Sequence, residues 1–174
     1  MDRISLVVVA LSLAIAGGCQ GFLGDGDDGA GDGNDEAGDG MGSGGDGSVD
    51  PGSAQLCVEI INDYRATLDL PPLDRWADAE ACSDAEAADD AASGVPHGAF
   101  GMCGESAQNE CPGWPGPPAQ LLEGCLAQMW AEGPGEDFSL HGHFINMSSP
   151  DYTRVACGFF ETNDGSWWAV QNFQ

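Results

Sequence analysis

The sequence predicts an α+β domain stapled by disulfides, and three observations carry that expectation. Apolar residues recur at helical spacing in segments after residue 54 and again after Pro118. The last twenty residues read as a β-hairpin. Six of the seven cysteines fall within residues 54–174, an even number that suits three bridges.

Residues 4–16 form an apolar run that follows Arg3 and ends in Ala16-Gly17-Gly18-Cys19. A run this short suits a secretory signal, residues 1–18, better than a membrane span. The small-small-Cys ending resembles the bacterial lipobox, in which the cysteine thiol is acylated and becomes the new N-terminus. On this reading Cys19 carries lipid; the alternative is a plain signal peptide with a spare cysteine. Assigning Cys19 to lipid leaves Cys57, Cys82, Cys103, Cys111, Cys125 and Cys157 for disulfides in an oxidising compartment.

Residues 19–53 then comprise the lipidated cysteine and a Gly/Asp tether, and residues 54–174 the folded domain. Glycine and like charges favour a disordered, extended segment with a reach of roughly 30 Å. The Asp-Gly repeats do not follow the spacing of a calcium loop.

The formal net charge is −25, with 29 acidic residues against four arginines and no lysine. Such a chain is repelled by nucleic acid, which removes that class of partner. It is equally repelled by anionic headgroups, so membrane attachment must come from a covalent anchor. The acidity itself reads as a solvated surface.

Leu56, Ile60, Ile61, Tyr64 and Leu68 mark an amphipathic helix over 54–68, stopped by Pro71-Pro72. Asp74 is the expected N-cap of a second helix over about 75–92, with Trp76, Ala81, Cys82, Ala85, Ala88 and Ala92 inward. Residues 108–117, rich in Pro, Gly and Trp, read as a loop. Pro118 suits a helix first turn, and Leu121, Leu122, Cys125, Leu126, Met129 and Trp130 give that third helix a wide apolar face up to Gly133-Pro134-Gly135. Arg154–Phe160 and Ser166–Phe173 are the hairpin strands around Asn163-Asp164-Gly165, with a further strand expected near Phe100–Glu105.

Six cysteines allow 15 pairings. The expected set joins Cys103–Cys111 as a local staple, Cys57–Cys82 between the first two helices, and Cys125–Cys157 between the third helix and the sheet.

Several short segments resemble the CAP superfamily, the cysteine-rich secretory, antigen and pathogenesis-related proteins, also called SCP domains. Asn62-Asp63-Tyr64-Arg65 with Pro72-Leu73 resembles its opening helix and the approach to its second. His97 and Gly104-Glu105-Ser106 follow, the latter resembling Gly-Glu-Asn. Gly142-His143-Phe144-Ile145-Asn146 resembles Gly-His-Tyr-Thr-Gln, Val155-Ala156-Cys157-Gly158 the Gly-Cys strand, and Asn172-Phe173 the closing Asn-Tyr. The chain departs from the pattern at Gln171, where a cysteine is expected, and at Met129, where a tryptophan is.

The resemblance implies an α-β-α sandwich around a small antiparallel sheet, with a cleft lined by His97, Glu105, Glu132 and His143. Two imidazoles and carboxylates suit Zn²⁺, with His97 and His143 as its ligands. The same four residues can equally form a hydrogen-bonded network with no metal. Asn62 and Arg65, one turn apart, read as structural polar groups rather than as an anion site.

Three functions stay open, ranked in this order. The first is a surface-tethered extracytoplasmic module that binds a lipid, a glycan or another protein. The second is a structural envelope lipoprotein. The third is a metal-assisted hydrolase, which lacks a recognisable Ser or Cys nucleophile motif.

Overall fold

The computed structural model describes residues 51–174. The signal segment, the Cys19 lipid site and the tether up to residue 50 lie outside the described residues.

The described residues form four helices and four strands. Helix α1 spans Pro51–Ala66, β1 Asp74–Arg75, α2 Ala77–Ser93, β2 Ala107–Pro115, α3 Pro118–Ala131, α4 Phe138–Ser148, β3 Arg154–Glu161 and β4 Ser166–Phe173. Helix α1 begins three residues ahead of the expected domain start. Strands β2, β3 and β4 pair antiparallel, and the two-residue β1 joins β3 in parallel, giving the order β1-β3-β4-β2. The sheet is therefore mixed rather than wholly antiparallel. Asp74 lies in β1, and Trp76 stands at the N-cap of α2 without a side-chain cap.

Side-chain alternation sorts the sheet into two chemically different faces. Val155, Cys157, Phe159, Ala169, Phe173, Ala107 and Cys111 join the core formed with α1 and α3. The opposite face carries Gly158, Asn172, Gln108 and Glu110, which meet α2 and the segment that follows it. Helix α2 buries Ala79, Ser83, Glu86, Ala87 and Asp90, whereas Ala81, Ala85 and Ala92 are exposed. The expected alanine stripe thus faces outward. A carboxylate-bearing face turns in because backbone N–H groups and side-chain amides await it there.

Two further segments differ from expectation. Residues 108–115 belong to β2 despite their prolines, with a register shift between Cys111 and Trp114 that absorbs Pro112 and Gly113. As an edge strand, β2 tolerates proline where a central strand would not. Residues 100–103 form turns and 104–105 are irregular, with no strand; the Gly101 and Cys103 N–H groups bond to carboxylates, and those of Phe100, Met102 and Gly104 to backbone carbonyls.

The disulfides are Cys57–Cys157, Cys82–Cys103 and Cys111–Cys125. None matches the expected pairing, and the sheet explains why. Cys57 and Cys82 sit in helices on opposite faces of it. Cys103 lies with α2, while Cys111 points into the apolar core. Each cysteine pairs with one in its own layer boundary: α1 to β3, α2 to the loop before β2, and β2 to α3.

Arg65 is buried at 1 % exposure. It donates to the carbonyls of Pro71, Met147 and Ser149, tying α1 to the end of α4. Asn62 closes a two-way bond with Leu73, accepting from its N–H at 2.7 Å and donating to its carbonyl at 3.0 Å. Both residues serve the fold.

Candidate functional site

Among the described residues, strand β2 has a neighbour on one side only, so its first residues present a sheet edge. Helix α4 comes to that edge from the core face, and the 94–106 segment comes from the α2 face. Asn146 of α4 donates to the Gln108 carbonyl and to Asn109 Oδ1, and Asn109 donates to the His143 carbonyl. These bonds satisfy part of the open edge and leave a cleft beside it.

His97 enters the cleft from the α2 side. Its φ of 59° lies in the left-handed region, an uncommon place for a non-glycine residue. Two bonds hold it there: its N–H donates to Glu110 Oε2 at 2.6 Å, and Nδ1 lies 2.8 Å from Gln108 Oε1. The Gln108 Nε2 already donates to Glu86 and Asn172, so Oε1 must be the atom facing His97. His97 Nδ1 therefore carries the proton, and in the neutral ring Nε2 holds the lone pair.

His143 and Glu132 enter from the other side. Glu132 ends α3, and its Oε2 accepts the N–H groups of His143 and Phe144 while Oε1 lies 2.5 Å from His143 Nδ1. A carboxylate accepts only, so His143 Nδ1 is again the donor. His141 Nδ1 faces the carbonyls of Glu132 and Gly133, bonding the start of α4 to the end of α3.

His97, Glu132 and His143 line one hollow of about 250 Å³ together with Gln108, Ser139 and Asn146. Glu105 does not line it. Its carboxylate accepts the N–H groups of Gly101 and Cys103, beside Glu86. The cleft position falls instead to Gln108, three residues later, within Ala107-Gln108-Asn109. A neutral amide thus stands where the family resemblance led us to expect a carboxylate.

Behind the cleft lies a set of buried acids. Glu86, Asp90, Glu105 and Glu110 are all less than a tenth exposed. Burial, followed by the neighbouring acids, pushes Glu86 and Glu110 up to about 7. Asp90 Oδ2 and Glu110 Oε1 are buried without a hydrogen-bond partner. Protonated, Glu110 can donate to the Asp90 carboxylate beside it, which would satisfy the two unpartnered oxygens.

A second hollow of about 310 Å³ continues the first, sharing His97, Gln108, Phe138 and Asn146. Phe100, Ala107 and Tyr152 make its far end mainly apolar. The cleft is therefore two-ended, with an apolar half beside a polar half.

As arranged, the cleft side chains do not present the three converging ligands of a zinc centre. Such a centre needs three or four protein ligands. Among the described residues, three His, Cys or carboxylate ligand atoms come within 4.8 Å of one another only at Cys82, Glu86 and Cys103, where the two sulfurs are already joined. His97, His143 and Glu132 line one hollow, but their ligand atoms do not come within that distance of one another, and the Glu132 carboxylate is bonded to His143.

Of the residues expected at the cleft, His97, Glu132 and His143 line it and Glu105 does not, while Gln108, Phe100, Phe138 and Tyr152 line it without having been expected. Gln108 and Glu110 alternate on one face of β2, a signal hidden once that stretch is taken for a loop. The aromatic residues carry no motif; only the turn of the chain brings them to one wall.

A family model described as the cysteine-rich secretory protein family, CAP, matches residues 58–173. No curated protein matches the chain.

Proposed function

Because the chain belongs to the cysteine-rich secretory protein (CAP) family, we propose that it is a ligand-binding module held outside the cytoplasm. The observation that carries this reading is the two-ended cleft. A domain kept only for structure has no reason to leave Phe100 and Phe138 exposed at 49 % and 62 % around a hollow lined with imidazoles. Its ligand is a lipid, a glycan or a protein segment small enough to enter there.

In this reading Cys19 bears the lipid, and the residues up to the domain act as a spacer that sets the cleft away from an acidic-headgroup surface. One acyl chain binds a membrane only marginally, so stable anchoring needs more than one. Three bridges joining all six cysteines of the domain accord with an oxidising compartment.

Two measurements test the proposal. The chain has three histidines, so their ring signals are readily assigned by NMR. A ligand of the cleft shifts His97 and His143 while leaving His141 nearly unmoved; a bound ligand that moves neither overturns the site. Fractionation of Cys19→Ala against the wild type tests the anchor. Release of the variant from membranes, or a block in its processing, supports lipidation, and unchanged membrane association rejects it.

A further inference from the structure

The polar half of the cleft has spent its hydrogen-bond donors on the protein. The Nδ1–H of His97 goes to Gln108, and that of His143 to Glu132. Gln108 Nε2 donates to Glu86 and Asn172. Asn146 Nδ2 donates to Asn109 and to the Gln108 carbonyl. The Ser139 hydroxyl donates to Asp137. With both rings neutral, what these side chains leave for a ligand is acceptor capacity: two imidazole Nε2 lone pairs and the remaining lone pairs of the Glu132 carboxylate.

The charge around the cleft has the same sense. The arginines among the described residues are engaged elsewhere. Arg65 bonds to three carbonyls, Arg75 pairs with Glu80, and Arg154 stacks over Trp76. Glu136 and Asp137 precede Phe138 directly, and both are exposed. An anionic ligand would find no opposing charge, and a neutral hydroxyl would use only part of the acceptor set. An ammonium offers three N–H donors and a positive charge.

Two of the side chains that line the cleft, Phe100 and Phe138, are large, apolar and exposed. Among the described residues, five of the seven exposed large hydrophobic side chains lie on two short segments: Val95, Phe100 and Met102 on one, Phe138 and Leu140 on the other. Phe100 and Phe138 line the apolar half together, with Tyr152. An alkyl chain placed along them is removed from water, and a cation near their rings is attracted by the ring faces.

We propose that the cleft binds a primary-amine amphiphile, with its ammonium at the acceptor-only end formed by His97, His143 and Glu132 and its apolar chain between Phe100 and Phe138. This assignment rests on the binding-module reading and narrows it to one ligand chemistry.

Calorimetry on the full chain with four probes of one chain length, each below its micellar concentration, tests it: octylammonium, octyltrimethylammonium, octyl glucoside and octyl sulfate. Octylammonium is expected to bind one-to-one, about tenfold or more tighter than octyl glucoside, one charge-assisted bond sufficing for that ratio. The trimethyl head, which has no N–H, should be weaker than octylammonium, and octyl sulfate should not bind. Phe138→Ser lies on the surface, should not disturb folding, and is expected to weaken octylammonium severalfold. Octyl glucoside binding as tightly as octylammonium, with His97 and His143 signals moving, overturns the amine assignment and leaves the binding module standing. Equal octylammonium binding by wild type and Phe138→Ser places the amine on the acidic surface and also overturns the assignment. Failure of all four probes, with neither histidine signal moving, overturns it together with an amphiphile-binding role for the cleft.

Discussion

Gln108 Oε1 lies 2.8 Å from His97 Nδ1, while the same amide donates through Nε2 to Glu86 and to Asn172. One side chain thereby fixes the tautomer of a cleft histidine and satisfies a buried carboxylate. A glutamate there could still accept from His97, but it would lose both Nε2 bonds and place a second charge beside Glu86. Gln108→Glu should therefore destabilise the domain by about 1–3 kcal/mol at neutral pH. The loss should shrink in acid, where the new carboxyl takes up a proton. Urea unfolding at pH 5 and pH 8 measures this, and a variant as stable as wild type at pH 8 contradicts it.

Glu86 and Glu110 make stability itself pH-dependent. Both sit at about 7 in the folded protein, above the ordinary 4.5, because burial disfavours their charged forms. Between these values the folded state binds more protons than the unfolded chain. The stabilisation is complete below about 4.5 and is lost as pH rises through about 7. Each group can contribute up to about 1.4 kcal/mol per pH unit within that window. Denaturation midpoints should fall from pH 4.5 to pH 8. A flat or rising profile would show that the buried acids are compensated.

The same pair offers a stabilising substitution. Glu110 Oε1 and Asp90 Oδ2 are buried and unpartnered, and Glu110 Oε2 holds the His97 N–H. In Glu110→Gln the amide oxygen can keep the His97 bond while the NH₂ donates to Asp90. The variant should gain about 1 kcal/mol or more at pH 8, where the native pair loses its shared proton, and little at pH 4.5. Thermal melts at the two pH values separate these cases; destabilisation at pH 8 would argue against a shared proton.

Much of the fold is legible in the sequence because its elements carry regular patterns. The hairpin of β3 and β4 is marked by β-formers around Asn163-Asp164-Gly165, and the observed strands fall within one residue of the reading. Helix α3 starts at Pro118 and ends before Gly133 for equally local reasons. Helix α2 is different, because its inward face is chosen by partners distant in sequence. Glu86 bonds to Cys103, Gln108 and Asn172, and Asp90 to Ala99. An apolar-stripe argument cannot see a buried face made of carboxylates. The disulfide pairing escapes the sequence for a related reason: nearness in sequence does not reveal on which side of a sheet a cysteine lies. In the cleft, family resemblance points to His97, Glu132 and His143, which line one hollow, whereas the amide of Gln108 follows only from the register of β2.

Gly158 marks the closest approach of α2 to the sheet. A Cβ at this position would lie 2.1 Å from the Ser83 carbonyl carbon and 2.4 Å from Asp84 N, both backbone atoms that cannot swing away. Asp84 also accepts the Phe159 N–H at 2.7 Å, so helix and strand are joined beside the contact. Gly158→Ala should push α2 off β3 and cost about 1–3 kcal/mol or more. Since α2 supplies Glu86 and Asp90, amide exchange in residues 97–105 should rise with it. Unchanged melting and exchange would mean that the two elements separate without strain.

The three bridges should contribute unequally, and their order is set by the loops they close. Cys57–Cys157 spans 100 residues, Cys82–Cys103 spans 21 and Cys111–Cys125 spans 14. Cross-linking restricts the unfolded chain more as the closed loop lengthens, from about 3 kcal/mol near 15 residues to about 4.7 kcal/mol near 100. Replacing both cysteines of a pair by alanine removes that restriction without leaving a free thiol. The Cys57/Cys157 double variant should therefore be the least stable of the three, by about 1–2 kcal/mol relative to the Cys111/Cys125 variant. The Cys82/Cys103 variant should stand apart in another way. Its bridge ties α2 to the segment that carries His97 and Glu105, so its loss should loosen residues 94–106 and weaken cleft binding beyond its effect on global stability. Peptide mapping under non-reducing conditions should recover Cys57 with Cys157, Cys82 with Cys103, and Cys111 with Cys125. Guanidinium unfolding of the three double variants then gives the order. A Cys82/Cys103 variant with normal cleft binding would separate the bridge from the site.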